Sequence, residues 1–193
     1  MKVTRVQAAA SRERILDAAA RLLRERGPDG VGVAEIMEGA GLTHGGFYGH
    51  FASKEDLMAQ ACARAREGSL DAMHQVVERG GENALSAVAS AYLSPAHRDG
   101  PGEGCALAAL GAEAARHGPP VRKAFTQGVG SLVDMLTRIL PGKSKRAKRE
   151  RAVAIFASMV GALVLARAVD DAELSEEVLQ SVLASIARTD SPP

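Results

Sequence analysis

The amino-acid sequence predicts an all-α protein. Apolar side chains recur at helical spacing along most of its 193 residues, and glycine or proline interrupts the pattern at short intervals. No segment shows the apolar-polar alternation that is typical of a strand. With 46% hydrophobic and 24% charged residues, the chain has enough apolar material for a sizeable core.

The beginning of the chain predicts two helices separated by a short loop. The first is Ser11–Arg26, with its first residue as N-cap and Gly27 as its stop signal. The second is a short helix over about Val33–Gly39. Gly32 is expected to cap it, because the carboxylate of Glu35 is placed to bond back to the cap.

A tight turn and two more helices are expected next. The turn is Ala40–Leu42, and Thr43–His50 then predicts another short helix, capped by its first residue. Ser53 is expected to cap a long helix over Lys54–Arg79, since Asp56 supplies a carboxylate at the third helical position.

The rest of the chain predicts five further helices. They are separated by glycine and proline, and Asp99–Gly104 is expected to be a flexible loop. The expected helices are Asn83–Leu93, Gly104–His117, Pro120–Leu140, Lys145–Val169 and Ser175–Arg188.

Composition and charge exclude several classes of protein. The chain has 24 Lys and Arg residues against 23 Asp and Glu residues, so its net charge of +1 does not steer it toward any partner. Its two cysteines, Cys62 and Cys105, are too few for a disulfide scaffold, and residues 1–10 lack the apolar stretch of a signal peptide. The longest uncharged stretch, Ala152–Ala166, is shorter than the roughly 20 residues of a membrane span and predicts a buried helix. A soluble protein of the reducing cytoplasm is expected.

The segment Val33–His50 has the spacing of a helix-turn-helix, a motif whose second helix enters the major groove of DNA. Thr43 can offer its hydroxyl and the first amides of that helix to a phosphate. Phe47 and Phe51, four residues apart, are expected to anchor a small core. Tyr48 lies beside them, where its ring can pack while its hydroxyl reaches a phosphate.

The stretch GLTHGGFYGHFASKEDL, residues 41–57, resembles the signature of the TetR family of bacterial transcriptional repressors. The family pattern has Gly at 41, an aliphatic residue at 42, Ser or Thr at 43, Tyr at 48, an aromatic residue at 51 and Lys-Glu/Asp-x-Leu at 54–57, and this chain meets all of it. The close resemblance covers about residues 12–57, and the remainder agrees in length and helix number.

The resemblance implies a fold and a function. It implies an N-terminal three-helix DNA-binding domain, residues 1–57, followed by a helical ligand-binding and dimerisation domain, residues 58–193. It implies a homodimer on a palindromic operator of double-stranded DNA. The protein is expected to be a repressor that a small-molecule inducer, or modification of a thiol, releases from its operator.

Glycines depart from the family pattern in two places. Gly32 stands where the family usually has Ser or Thr, so this cap lacks a side-chain acceptor. Gly45, Gly46 and Gly49 lie inside the expected reading helix, where each costs ~1 kcal/mol relative to alanine. We expect the compensation to be close approach of the backbone to the groove floor. Because the glycines have no side chains, only Thr43 and His44 remain to reach bases.

The charges around the motif indicate that attraction to DNA is local. Residues 1–26 carry seven basic and three acidic residues, a net charge of +4, whereas residues 27–60 carry one basic and five acidic residues, a net charge of −4. Because so few side chains can reach bases, much of the specificity is expected from DNA shape and from an N-terminal arm near a minor groove. The residues expected at the DNA are Lys2, Arg5, Gly32, Thr43, His44, Gly45, Gly46, Tyr48, His50 and Lys54.

The last two helices are candidates for a dimer interface. Ala152–Ala166 is apolar on nearly every face and must be covered on every face, and a second apolar stripe lies within Ser175–Arg188. A four-helix bundle formed by two subunits would bury both, and an intrachain core alone is the alternative. The basic run Lys143–Arg151 is interpreted as a solvated loop and helix start rather than a second nucleic-acid patch.

The middle helices supply candidates for a ligand pocket. Aromatic residues make up only 3% of the chain, which favours a small or aliphatic ligand. The candidates are Cys62, Tyr92, His97, Cys105, Leu110, Phe125, Val129 and Phe156.

Cys105 is also a candidate switch. It follows Gly104 at an expected helix N-terminus, where the helix dipole favours a thiolate. Residues 104–113 resemble a stretch found in some regulators of the family, among them sensors of electrophiles or oxidants. The alternative is a small buried residue at a helix junction, and Cys62, in the middle of a helix, is expected in the core.

Motifs for catalysis or metal binding are absent from the sequence. It contains no Cys-x-x-Cys, His-Glu-x-x-His, Walker loop or Gly-x-Ser-x-Gly, and Glu113 and His117 lack a third ligand at suitable spacing. No catalytic residue, metal ligand or cofactor is therefore expected. Two alternatives to a ligand-controlled regulator stay open, a DNA-binding module without a ligand and a small-molecule enzyme.

Overall fold

Helices make up all of the regular secondary structure in residues 5–190, the part of the chain that the structure, a computed structural model, describes. This finding confirms the all-α fold. Within these residues three short 3₁₀ helices cover His44–Gly49, Gly81–Asn83 and Pro101–Glu103. The α-helices are α1 (Arg5–Arg26), α2 (Val33–Gly39), α3 (Lys54–Gly80), α4 (Ala84–Tyr92), α5 (Pro95–Asp99), α6 (Ala106–Ala114), α7 (Pro119–Ile139), α8 (Lys145–Ala168) and α9 (Ala172–Asp190).

The chain divides into two compact units that are not the two stretches expected from the sequence. Unit 1 takes in the chain up to Glu67 together with Pro101–Gln127, and unit 2 takes in Gly68–Gly100 together with the chain from Gly128 onward. The expected boundary at residue 57 falls inside α3, which continues through it without a break. Unit 1 recruits α6 and the start of α7 because their apolar residues belong to the same core as those of α1, α2 and α3.

The core of unit 1 combines aliphatic and aromatic side chains. The apolar stripe of α1 is buried, and so are Ile36 and Met37 of α2. The buried α1 residues at helical spacing are Ile15, Ala19, Leu22 and Leu23. Phe47 and Phe51 stack with their ring centroids 5.8 Å apart. The core therefore contains the two aromatic anchors that the sequence predicts.

Helix α1 begins earlier than the sequence predicts. It is already helical at Arg5, so Ser11 lies within the helix and the prediction that it is the N-cap was wrong. The preceding residues include three consecutive alanines, the best helix formers, which explains the extension. The predicted end is correct, because Gly27 has a φ of 73° and donates its N–H to the carbonyl of Leu23 at 2.9 Å.

The segment expected to be a flexible loop is instead ordered structure. Ser94 caps the additional helix α5 through its hydroxyl, which accepts the N–H of His97 at 3.2 Å, and proline follows this cap. The 3₁₀ turn Pro101–Glu103 comes next, and Gly102 within it is buried. Sequence patterns missed both elements because each is very short.

Two sets of hydrogen bonds between side chains and backbone join the segment 101–118 to α1 and α3. The guanidinium of Arg24 donates to the carbonyl of Gly102, from Nε at 2.7 Å and also from Nη2. The carboxylate of Glu55 accepts the N–H of Gly118 at 2.8 Å. A Cβ on Gly118 would lie 2.5 Å from Oε1 of Glu55, so the missing side chain permits this approach. Burial lowers the pKa of Arg24 from its ordinary value, although the Glu103 carboxylate opposes the shift.

Helix α8 is buried on one face only. By length and mean hydropathy it could span a membrane, but its buried face, from Ala152 to Ala166, is part of the core of unit 2. The opposite face leaves Val153, Val164 and Leu165 exposed, at 48%, 42% and 57% of their surface. The sequence predicts that every face of this helix is covered. Within a single chain only one face of α8 is covered.

Helix α9 also starts earlier than expected. It begins at Ala172, and the carboxylate of Asp171 accepts the N–H groups of Glu173 and Leu174 at 2.9 and 3.0 Å. Ser175, the first residue of the expected helix, is buried and donates its hydroxyl to the carbonyl of Ala166 at 2.7 Å. The cap is therefore the aspartate four residues upstream.

An aromatic and basic cluster lies inside unit 2. The rings of Tyr92 and His97 meet edge to face with centroids 4.7 Å apart, and Tyr92 contacts Phe156 at 6.4 Å. Arg167 donates to the carbonyl of His97 at 2.5 Å. Burial lowers the pKa of His97, and the charge of Arg167 acts in the same direction, against the hydrogen bond to the Tyr92 carbonyl.

This environment predicts a loss of stability in mild acid. Because the folded pKa of His97 lies below its unfolded value of about 6.5, the unfolded chain takes up the proton first as the pH falls. The stabilisation by neutral His97 is complete above that value and disappears as the pH falls through the folded pKa. We expect His97→Gln to lose less unfolding free energy than the wild type between pH 7 and pH 5. Urea unfolding at both pH values measures the difference, and equal losses would contradict the prediction.

Candidate nucleic-acid interface

The turn between α2 and the following 3₁₀ helix is fixed by a glycine. Gly41 has a φ of 68°, the left-handed region that side chains disfavour, and it donates its N–H to the carbonyl of Glu38 at 2.8 Å. Leu42 then donates to the carbonyl of Met37 at 2.8 Å. The three-residue turn expected from the sequence is therefore present.

The start of α2 is capped without help from a side chain at its N-cap. Gly32 donates its N–H to the carboxylate of Glu35 at 3.0 Å, as the sequence predicts. This backbone hydrogen bond lowers the pKa of Glu35, and Arg26, which pairs with the same carboxylate at 2.9 Å, lowers it further. Glu35 thus makes one of the two hydrogen bonds of a capping box, and the other, which a serine or threonine hydroxyl at residue 32 would accept, is missing.

The second helix of the motif is a 3₁₀ helix over His44–Gly49, which we call the reading helix. Thr43 precedes it in an extended conformation, and its side chain makes no capping hydrogen bond, contrary to expectation. Three of the six residues in the helix are glycine, which is a poor helix former, and this explains why no α-helix forms there. The hydroxyl of Thr43 therefore accepts no hydrogen bond from the first turn of the reading helix.

Aromatic packing holds the reading helix. Phe47 is fully buried, and its ring meets that of Tyr48 edge to face with centroids 5.1 Å apart. Tyr48 nevertheless keeps 76% of its surface exposed. The guanidinium of Arg12 lies 5.1 Å from the ring centroid of Phe51. Tyr48 is thus anchored by one edge and open to solvent elsewhere, as the sequence predicts.

The other residues that were expected at the DNA in this motif are exposed or half-buried. His44, Gly45 and Gly46 are exposed on the reading helix, as is Gly32 before α2. His50 is half-buried, with its ring centroid 6.5 Å from that of Phe51.

The expected N-terminal arm is replaced by helix where the structure describes it. Arg5 is exposed in the first turn of α1 instead of lying in an extended arm. Lys2 lies outside the described residues. Whether either residue contacts DNA stays a prediction.

Lys54 has a partner within the chain. Its ammonium donates to the carbonyl of Pro28 at 2.6 Å, just beyond the end of α1. At the same helix start, Ser53 accepts the N–H of Asp56 at 3.0 Å, which confirms the predicted cap. Lys54 therefore ties the beginning of α3 to the loop after α1, and the predicted phosphate contact would have to share the ammonium with that carbonyl.

Arg14 is a candidate that the sequence interpretation missed. It is exposed on α1, and a Cβ on Gly41 would lie 3.6 Å from its Nη1, so its charge borders the turn that leads into the reading helix. The sequence does not reveal that Arg14 lies beside this turn. It does indicate that Arg14 faces outward, because its neighbour Ile15 belongs to the buried stripe of α1.

The expected ligand residues fall into both units. In unit 1, Cys62, Cys105 and Leu110 are buried and Phe125 packs against the same core. In unit 2, Tyr92 and Phe156 are in ring contact, with His97 against Tyr92, whereas Val129 is exposed. Their role in ligand binding stays a prediction.

The two cysteines differ in their positions on the helices. Cys62 lies within α3, where burial raises the pKa of its thiol to about 12. Cys105 is the N-cap residue of α6, the helix terminus that the sequence predicts, and it is buried as well.

Two family models match the chain. The model described as bacterial regulatory proteins, tetR family, matches residues 15–61, which contain the second half of α1, all of α2 and the reading helix. The model described as a tetracyclin repressor-like C-terminal domain matches residues 81–182. Together they cover most of the chain.

Two curated relatives match its N-terminal region. The HTH-type transcriptional regulator AcrR of Shigella flexneri is 39% identical over 57 residues, which are 30% of this chain and 26% of that protein. The HTH-type transcriptional repressor BepR of Brucella suis biovar 1 is 41% identical over 66 residues, 34% of this chain and 32% of that protein. The chain thus spans about a quarter to a third of the length of the curated relatives that it matches.

Solved structures share the fold along nearly the whole chain. The reduced form of Escherichia coli NemR has a TM-score of 0.79 at 22% identity, covering 95% of this chain and 98% of that one. A TetR-family regulator from Cytophaga hutchinsonii has a TM-score of 0.80 at 21% identity and covers 100% of both chains.

Proposed function

The chain belongs to the TetR family of bacterial transcriptional regulators, and from this premise we propose that it is a homodimeric repressor that binds a palindromic DNA operator through the reading helix. The observation that carries the proposal is the exposure of Tyr48 on a helix whose neighbouring ring, Phe47, is fully buried. An aromatic anchor fixes the helix, and its outer surface is left to a partner. A soluble, cytoplasmic location follows from this role.

The proposed contacts divide into positioning and reading groups. Tyr48, Lys54 and Arg14, which all belong to unit 1, would bind phosphates, and such contacts fix the register without sensing sequence. Thr43 and His44, at the start of the reading helix, would reach base edges in the major groove. Contacts from Arg5 and His50 would add to the positioning group.

Dimerisation would present two reading helices to one face of DNA. The exposed apolar face of α8, which includes Val164 and Leu165, is the surface that a second copy would cover. Two half-sites would then lie about 34–36 Å apart, or a multiple of that distance.

Release from DNA would come from a ligand bound by the helices after α3 or from modification of Cys105. Either signal acts only if it stabilises a conformation with the wrong spacing of the two reading helices. A small or aliphatic inducer fits the scarcity of aromatic residues. Burial of Cys105 means that its thiol must first become accessible before a reagent can reach it.

Substitutions at Tyr48 and His44 test the proposed division of labour. Loss of a hydrogen bond to a charged phosphate weakens binding by about ten- to a hundredfold, so Tyr48→Ala is expected to do so on every duplex alike. His44→Ala is expected to relax preference at one base pair in each half-site by ~1–3 kcal/mol. The measurement is fluorescence anisotropy on a duplex that the wild type selects from a random library, and on its single-base variants, at several salt concentrations.

Matched controls separate DNA contacts from folding. Tyr48→Phe retains the ring packed on Phe47 and removes only the hydroxyl, and thermal unfolding of each variant reports stability. The proposed roles would be wrong if Tyr48→Ala changed base preference or if His44→Ala weakened all duplexes equally. Binding that did not weaken steeply with salt would contradict the repressor proposal itself.

A further inference from the structure

Two glycines of the reading helix have no explanation within the chain. Gly45 and Gly49 are exposed, and neither has the positive φ at which glycine is needed. A Cβ built on either residue would meet no other atom within 4 Å. Neither backbone conformation nor packing therefore requires a residue without a side chain at these two positions.

Other glycines of unit 1 show what an internal explanation looks like. Gly27 and Gly41 have positive φ. Gly102 and Gly118 are approached by the carboxylates of Glu25 and Glu55 closely enough that a Cβ would force them away.

Glycine also weakens the reading helix. It loses more backbone freedom than any other residue when a helix forms, so alanine would stabilise the same conformation. The structure shows no compensating contact inside the chain for either residue, and the same holds for Gly111 of α6. What sets Gly45 and Gly49 apart is their position on the helix that is proposed to enter DNA. Their neighbours in sequence, His44 and Tyr48, are the exposed side chains already assigned to the DNA.

Gly46 differs from Gly45 and Gly49. A Cβ there would lie 3.6 Å from Cε of Met37, a fully buried residue of α2, and this is an ordinary van der Waals distance. A methyl group at residue 46 therefore points toward the protein. This difference separates a steric reason for the glycines from a general need for flexibility in the reading helix.

We propose that Gly45 and Gly49 are specificity-determining positions at which the edges of DNA bases or the sugar-phosphate backbone occupy the space of a Cβ, so that the backbone of the reading helix lies against the major groove. The proposal rests on the proposed function and adds to it the reason why the helix carries so few side chains. Direct base readout then depends on Thr43 and His44, and the close fit of bare backbone to the groove senses its local shape.

Alanine substitutions test the proposal with opposite effects on stability and on binding. The probe is a duplex that the wild type enriches from a random-sequence 40-base-pair library, with a scrambled duplex of equal composition beside it. We expect Gly45→Ala and Gly49→Ala each to weaken binding to the enriched duplex by tenfold or more, while their melting temperatures equal or exceed that of the wild type.

Two further variants serve as comparisons. Gly111→Ala replaces an exposed glycine inside α6, where a Cβ also meets nothing within 4 Å, and it should raise stability with binding within twofold of the wild type. Gly46→Ala should weaken binding at least threefold less than Gly49→Ala does, because its methyl group faces Met37.

The outcomes separate the inference from the proposed function. Variants at Gly45 and Gly49 that bind within twofold of the wild type would overturn the inference alone. Equal losses at all three glycines of the reading helix would overturn it in favour of flexibility, and a marked fall in melting temperature would overturn its premise that the space is empty. A wild type that enriches no duplex would overturn the proposed function and the inference together.

Discussion

Leu165→Glu is expected to convert the protein into a monomer that binds its operator duplex more than a hundredfold more weakly. Leu165 has the largest exposed fraction, 57%, of the large apolar residues on α8, and Val153 and Val164 lie on the same helix. In a two-fold symmetric interface each substitution occurs twice, so two carboxylates would face an apolar surface. Burying an unpaired carboxylate against an apolar surface costs far more free energy than leaving that carboxylate in water.

Loss of the dimer removes the second DNA contact. When one reading helix is bound, the other meets its half-site at high effective concentration, and this linkage contributes a factor of about 10²–10⁴ in affinity. A monomer retains only the affinity of a single half-site. The large expected loss of affinity thus comes from unlinking the two reading helices, each of which can still bind its own half-site.

The measurement combines mass and binding. Sedimentation equilibrium gives the mass of wild type and variant, and anisotropy gives their affinities for the selected duplex. Ala112→Glu, on the exposed surface of α6, is the control for an added carboxylate and should remain dimeric with unchanged affinity. A dimeric Leu165→Glu variant would show that α8 is not the interface.

Phe47→Ala is expected to lower the free energy of unfolding by about 3–5 kcal/mol, the usual cost of removing a buried aromatic side chain. Phe47 is 1% exposed and stacks on Phe51, and Tyr48 meets its ring edge to face. The reading helix should therefore lose its attachment together with the local core.

Urea unfolding followed by circular dichroism measures this effect. Phe47→Leu retains most of the volume and should lose less than about 1.5 kcal/mol. Tyr48→Ala removes a mostly exposed ring and is the control for loss of an aromatic group at the surface. A loss below about 1 kcal/mol for Phe47→Ala would show that the ring does not anchor the helix.

Features of this fold that depend on neighbouring residues were predictable from the sequence. Glu35 lies three residues from Gly32, and Asp56 lies three residues from Ser53, so the two caps follow from local spacing and both are present. Gly41 provides the left-handed turn for the same reason. The helix-turn-helix, Tyr48 included, could therefore be located from a few positions at fixed spacing.

Contacts between distant residues were not predictable. Arg24 binds the carbonyl of Gly102, 78 residues away, and Lys54 binds that of Pro28, 26 residues away. No local pattern indicates which carbonyl a long cationic side chain will reach. The 3₁₀ form of the reading helix was missed as well, because a spacing that marks a helix does not distinguish six residues of 3₁₀ helix from a short α-helix.

The contacts of Gly102 and Gly118 with Arg24 and Glu55 matter for anyone who wishes to build hybrid regulators from this chain. A chimera that transplants only residues 1–57 would leave both hydrogen-bond partners behind and would bare the apolar surface that α6 covers. The portable head is discontinuous, and a graft has to carry Pro101–Gln127 along with the chain up to Glu67. Because the transferable unit consists of two separate stretches of sequence, one fusion point in the gene cannot transfer it whole.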